Sequence, residues 1–199
     1  MPALASPAAP ALPVEHRTRL LEGMAHAVAA KGYADTTITD IVREAAVSRR
    51  TFYEQFPTKA DCLVALYEAA SHEALKVLQG AIDPAHAWQS QLEGAMRAYL
   101  ACLAQNPVLL RTLFIDIIAL GDVGLAARRR VSLEIAGFIE QVAARPSSPG
   151  AMPFSAPLAM AVVGGIHELV LQHIEDGRAG SLEDLVAPAC ELVRAVAMR

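Results

Sequence analysis

Residues 37 to 59 read TITDIVREAAVSRRTFYEQFPTK, and their pattern decides the fold. Thr37 offers an N-cap oxygen, and Ile41, Val42 and Ala45 line one face of a short helix that ends near Ala46. Val47 and Ser48 make a brief connection, Ser48 being another good N-cap. A second short helix then runs from Arg49 to Gln55. Phe52 and Phe56 point one way, which leaves Arg49, Arg50, Thr51, Tyr53 and Gln55 free. Two short helices joined by a tight turn form a helix-turn-helix. Pro57 then breaks the chain, and Thr58 caps a longer helix through Cys62, Leu63, Leu66, Tyr67 and Ala70.

On the N-terminal side, Leu20, Leu21, Met24, Ala25 and Val28 recur at helical spacing, and Gly32 is a plausible stop, so a helix is expected from about Glu15 to Lys31. Before it, MPALASPAAPALPV contains prolines and has no basic residue ahead of His16. It lacks the charged start and unbroken apolar run of a signal peptide and is expected to be a disordered tail over residues 1–13. On the C-terminal side the pattern stays helical over Pro84 to Gln105, Pro107 to Leu120, Asp122 to Ala144, Ala156 to Asp176 and Leu182 to Met198. No segment alternates with period two long enough to be a strand, so the expected class is all-α with about nine helices.

Composition agrees with a compact helical protein: 54% of the 199 residues are hydrophobic. The net charge of −4 excludes a protein that coats nucleic acid through bulk positive charge. From Val14 to Leu66 the basic residues Arg17, Arg19, Lys31, Arg43, Arg49, Arg50 and Lys59 are balanced by as many acidic ones. Any affinity for DNA must therefore come from a few groups at one tip. Cys62, Cys102 and Cys190 lie far apart without metal or disulfide spacing, which fits free thiols in a reducing cytoplasm. The uncharged stretch Pro146 to His167 is interrupted by Pro149, Pro153 and Pro157 and reads as too broken to span a membrane.

A helix that reads DNA must show donors on its outer face and keep its inner face apolar against a supporting helix. Arg49 and Arg50 carry forks that match guanine O6 and N7, and Thr51 is small enough for close approach. The run Thr37 to Lys59, extended through Asp61-Cys62-Leu63 and preceded by Gly32-Tyr33, resembles the DNA-binding signature of the TetR family of transcriptional regulators. The resemblance covers about fifty residues. It implies a three-helix DNA-binding domain over residues 14–60, followed by a larger helical regulatory, ligand-binding and dimerisation domain over residues 61–199. It also implies a homodimeric, ligand-responsive repressor on a pseudo-palindromic double-stranded operator. Arg49, Arg50 and Thr39 are the expected base readers. Thr37, Ser48, Tyr53 and Lys59 are the expected phosphate anchors, with Thr51 and Gln55 also at the interface.

Two residues depart from the family pattern. Ala46 stands at a turn position usually held by glycine, and Gln55 where the family often has histidine or another aromatic. In the C-terminal part, Trp88, Met96, Tyr99, Phe114, Phe138, Met160 and His167 are the candidates to line a pocket for a small hydrophobic or aromatic inducer. Ala161, Gly164, Gly165 and Glu168 on one of the last two helices, and Leu185, Ala189, Leu192 and Val196 on the other, suit a close helix contact between subunits. The run Arg128-Arg129-Arg130 reads as a solvated face. His167 and His173 are spaced six apart and do not share a helix face as a zinc motif requires. No phosphate loop, nucleophile elbow or paired-carboxylate motif is present, so neither an enzyme nor a cofactor or metal is expected. The rival reading is a helical carrier or enzyme in which the first three helices are only structural.

Overall fold

The computed structural model describes residues 13–83, 85–143 and 155–197. Among these residues the chain forms nine helices and no strand. It divides into two compact units, Met1–Leu63 and Val64–Arg199. The tail expected at 1–13 lies outside the described residues as far as Leu12, as do the expected helix ends at Ala144 and Met198.

In the first unit α1 (Pro13–Asp35) buries Leu20, Met24, Ala27 and Val28. Gly32 leaves helical geometry at φ 80° and ψ 165°, a left-handed excursion that glycine makes without a Cβ clash. Helix α2 (Ile38–Glu44) lies directly against α1. A Cβ added to Gly23 would come within 2.6 Å of the Ile41 carbonyl oxygen, so the two backbones meet there. Helix α3 (Arg49–Gln55) follows, and α4 begins at Lys59.

The end of α2 is a Schellman motif. Val47 N donates to Val42 O at 3.0 Å, and Ala46 N donates to Arg43 O at 3.2 Å. Ala46 therefore takes the left-handed position, at φ 49°, which costs an L-residue about 1–2 kcal/mol. Arg19 helps to hold it, Nη2 donating to Ala46 O at 2.8 Å. The same motif ends the helix Ala156–Glu175, and there Gly177 occupies the left-handed position at φ 73°. Because Ala46 is exposed and its methyl adds no packing, Ala46→Gly is expected to raise stability. The gain should reach up to about 1 kcal/mol, the relief of strain being partly offset by the freer unfolded chain. A rise in the urea midpoint without a change in slope would verify it.

The second unit takes in the rest of α4 (Lys59–Gly80), then α5 (Trp88–Ala104), α6 (Pro107–Ala119), α7 (Asp122–Ala143), α8 (Ala156–Glu175) and α9 (182–197, its first turn a 3-10 helix). Helix α5 starts at Trp88 rather than at Pro84. Asp83 closes a turn instead, accepting from Ala85 N through its side chain at 2.9 Å and from His86 N through its carbonyl at 3.1 Å. Within α6, residues Thr112–Asp116 form a π-helical turn. The corner into α7 is tight: a Cβ on Gly124 would stand 1.7 Å from the Ile117 carbonyl oxygen.

Helix α8 is continuous and is long and apolar enough to cross a membrane, with a mean hydropathy of 1.3. This differs from the interrupted stretch read in the sequence. Pro157 sits in the first turn, where a missing N–H breaks no helical bond, and Pro149 and Pro153 lie outside the described residues. Helix α8 packs against α7 and α9, and Val162, Val163, Ile166 and Val170 are buried there. That is the environment of a core helix.

Candidate DNA-reading unit and apolar cavity

Helix α3 is pinned from beneath. Phe52 is 0% exposed and Phe56 2%, their ring centroids are 5.9 Å apart, and the Arg17 guanidinium lies 4.6 Å from the Phe56 ring centroid. Its start is capped by Ser48, whose Oγ accepts from Thr51 N at 3.0 Å and lies 2.9 Å from Thr51 Oγ1. On the outward side Arg49 and Tyr53 are exposed and stand one turn apart. Tyr53 holds its ring edge-on to Phe52 at 5.6 Å. Arg50 is also exposed, but its Nε donates to Glu54 Oε1 at 2.9 Å. Gln55 is half-buried, and Thr39 is exposed on α2.

Asp40 is the electrostatic hub of this unit. Its Oδ2 accepts from Lys31 Nζ at 2.6 Å, Thr37 Oγ1 at 2.6 Å and Thr37 N at 2.9 Å, and its Oδ1 accepts from Arg43 Nη2 at 3.1 Å. Thr37 Oγ1 accepts in return from Asp40 N at 3.2 Å, completing a capping box. These bonds, that from Lys31 first and then those from Thr37, hold the Asp40 carboxyl well below the usual carboxylate range. Its folded-state value lies below its unfolded one. The stabilisation is therefore complete above the unfolded value near pH 4 and is lost as pH falls toward the folded one. Asp40→Asn is expected to be less stable than the wild type at pH 7, with the gap closing progressively below about pH 4. Urea midpoints measured at pH 7, 4 and 3 would read this, and a gap that stays constant would remove Asp40 as the acid-sensitive group.

Besides Ser48, which bonds Thr51, two more of the expected phosphate anchors have other partners. The Thr37 hydroxyl is engaged in both directions with Asp40. Lys59 Nζ donates to Tyr33 O at 2.9 Å and to Thr36 O at 2.8 Å, 4.1 Å from the Tyr33 ring centroid, and burial lowers its pKa. Its long stem folds back to tie the start of α4 to the turn between α1 and α2, so its ammonium does not project outward. At the same place Thr58 caps α4, its Oγ1 accepting from Asp61 N at 3.1 Å.

In the second unit, Trp88, Met96, Tyr99, Phe138 and His167 come together around an apolar cavity that is partly open to solvent. Phe114 lies instead on a second cavity, which shares Tyr99, Ile135 and His167 with the first. Met160 lines neither, although it is half-buried on α8. His167 Nε2 stands 3.5 Å from the Tyr99 hydroxyl, and its ring meets Phe114 edge-on at 5.5 Å. Burial first, and the Arg128 charge second, push the His167 pKa down to about 4. The imidazole is therefore neutral at physiological pH.

The triple-arginine run does not act as one solvated face. Arg130 pairs with Glu68 and Arg129 is exposed, while Arg128 lines the second cavity with Tyr67 and Ser71. The sequence reading missed Arg128, though a signal was present: Arg128, Val131 and Ile135 fall on one helix face, an arginine set in an apolar stripe. Of the residues named for a subunit contact, Leu185 and Ala189 are buried within the chain. Gly165 faces Leu192, whose Cδ2 would be 2.7 Å from an added Cβ. Ala161, Gly164 and Glu168 remain exposed.

The helix-turn-helix falls inside a segment, residues 20–66, that matches the family model described as bacterial regulatory proteins, tetR family. Among curated proteins no sequence matches the chain. Solved structures share its fold. The fatty acid degradation regulator FadR from Bacillus halodurans is similar at a TM-score of 0.75 and 14% identity, covering 99% of this chain and 100% of that one. FadR from Bacillus subtilis, solved in complex with stearoyl-CoA, is similar at 0.68 and 16% identity, with 88% and 96% covered. A tetR-family regulatory protein from Rhodococcus RHA1 is similar at 0.62 and 22% identity, with 92% and 98% covered. Residues 20–66 are thus similar to the tetR family of bacterial regulatory proteins, and the solved structures show that the fold around them is shared from end to end.

Proposed function

We propose that the protein is a ligand-responsive repressor that binds a pseudo-palindromic operator as a homodimer. Residues 14–60 serve as the DNA-binding domain and 61–199 as the regulatory one. The observation that carries this reading is α3 itself: its inner face is fixed by Phe52 and Phe56 while Arg49 and Tyr53 stand exposed, with no hydrogen bond or ion pair among the described residues. Two such helices enter successive major grooves about 34 Å apart. Arg49 and Thr39 read bases, Arg50 reads them after exchanging Glu54, and Tyr53 and Ser48 contact phosphates with Gln55 and Thr51 beside them. At Lys59 the backbone N–H group, rather than the engaged side chain, faces the phosphate, while Thr37, whose N–H and hydroxyl are both held by Asp40, positions the start of α2.

The ligand enters the second unit, where the cavity lining is apolar with Tyr99 and His167 as polar groups. That FadR from Bacillus subtilis was solved with stearoyl-CoA supports a ligand with a long apolar part. A coupling of roughly 1–3 kcal/mol between ligand and operator is enough to change occupancy several-fold. A gel shift with DNA from upstream of the protein's own gene tests the reading. A sequence-specific complex should survive excess competitor DNA at moderate salt. Its absence would favour a carrier whose first three helices are only structural.

The subunit contact runs along the exposed face of α8 through Ala161, Gly164 and Glu168, packed with α9. A side chain at Gly164 meets open space within the chain, so Gly164→Arg is expected to leave folding intact and to convert the dimer to monomer. Light scattering would read the mass, and operator affinity should fall with it.

A further inference from the structure

The second cavity holds a charge that nothing among the described residues balances. Arg128 is half-buried on its wall and makes no hydrogen bond or ion pair among the described residues. Glu68, the carboxylate next along the chain from the lining residue Tyr67, is held by Arg130. Among the described residues, neither cavity has an aspartate or glutamate in its lining. A guanidinium withdrawn from water without a partner is costly, and the usual partner of its planar fork is a carboxylate.

We infer that the two cavities form one site for an apolar monocarboxylate, with the carboxylate on Arg128 beside Tyr67 and Tyr99 and the hydrocarbon among Trp88, Met96 and Phe138. This rests on the reading that the second unit holds the regulatory ligand, and it names the class of that ligand. Continuity comes from Tyr99, Ile135 and His167, which belong to both linings. Charge count selects a monoanion. With His167 neutral, Arg128 is the one cation in either lining among the described residues, and a phosphate dianion would leave a negative charge unpaired in an apolar wall. The tyrosine hydroxyls and the neutral imidazole supply hydrogen bonds without adding charge.

The single tryptophan of the chain, Trp88, lies in the first lining, so its emission reports occupancy. The experiment titrates the full-length protein with decanoate, decan-1-ol and decyl phosphate. Decanoate should bind about tenfold or more tighter than the alcohol, the scale of one desolvated charge-assisted pair. Arg128→Gln should bring the acid down to the level of the alcohol without moving the alcohol. Arg129→Gln, the same charge change on an exposed neighbour, should leave the preference intact. Should Arg128→Gln fail to fold by circular dichroism, Arg128→Lys is the second variant. It keeps the charge, loses the fork and is expected to lose part of the preference. Equal affinity for acid and alcohol, a preference unchanged in the Arg128 variants, or tighter binding of the phosphate would overturn the inference while leaving the ligand cavity standing. A Trp88 signal unmoved by all three probes would overturn both.

Discussion

Arg49→Ala is expected to weaken the specific complex with the operator by about a hundredfold or more while leaving the melting temperature of the free protein unchanged. A bidentate arginine contact is worth about 1–3 kcal/mol of discrimination, and a dimer makes it twice, so the loss doubles on a palindromic site. Folding is spared because Arg49 is exposed and has no partner among the described residues. Arg50→Ala should cost less, since Arg50 must first give up Glu54, which lies 2.9 Å away. On the proposed reading Tyr53→Phe removes one phosphate bond per subunit, so it should weaken all sequences alike by about 1 kcal/mol for each. The distinguishing measurement is the ratio of specific to non-specific affinity at fixed salt: Arg49→Ala collapses it and Tyr53→Phe does not. An unchanged ratio in Arg49→Ala would mean that α3 is not the reading helix.

How far the sequence could be read followed the range of the interactions involved. The boundaries of α2, α3 and α4 were legible because Thr37, Ser48 and Thr58 each cap a backbone N–H three residues on, which is a local arrangement. The apolar faces of α1 and α3 were legible for the same reason: Leu20, Met24, Phe52 and Phe56 follow the helical period. Lys59 was not, because its partners Tyr33 and Thr36 lie 26 and 23 residues away. Spacing around Lys59 cannot tell an ammonium turned inward from one turned toward a phosphate. Residue types sufficed to gather Trp88, Met96, Tyr99, Phe138 and His167, since large apolar and aromatic groups collect in the second unit. They could not separate Phe114 from that group, which depends on how the π-helical turn in α6 aims its side chains. The three arginines looked alike in sequence, and only packing sorted them into one facing a cavity, one exposed and one paired with Glu68.

Phe52→Ala should abolish specific binding by the opposite route, unfolding the first unit instead of removing a contact. Phe52 is fully buried, and a phenylalanine cut to alanine in a packed core costs about 3–5 kcal/mol. A unit of this size holds only a few kcal/mol in reserve, so the substitution consumes most of its stability. Phe52→Leu, which keeps most of the volume, should be tolerated far better, at under about 1.5 kcal/mol. Cys62 supplies a readout confined to this unit. It is 0% exposed, and burial pushes its thiol up to about 12, so in the folded unit it resists alkylation. In Phe52→Ala, peptide mapping after treatment with iodoacetamide should show Cys62 labelled at neutral pH. In Arg49→Ala and the wild type it should stay protected. Loss of DNA binding with Cys62 exposed marks a collapsed support, and loss with Cys62 protected marks a missing contact. If Cys62 remained protected in Phe52→Ala and the urea midpoint did not move, the Phe52–Phe56 pair would not be what holds α3 in place.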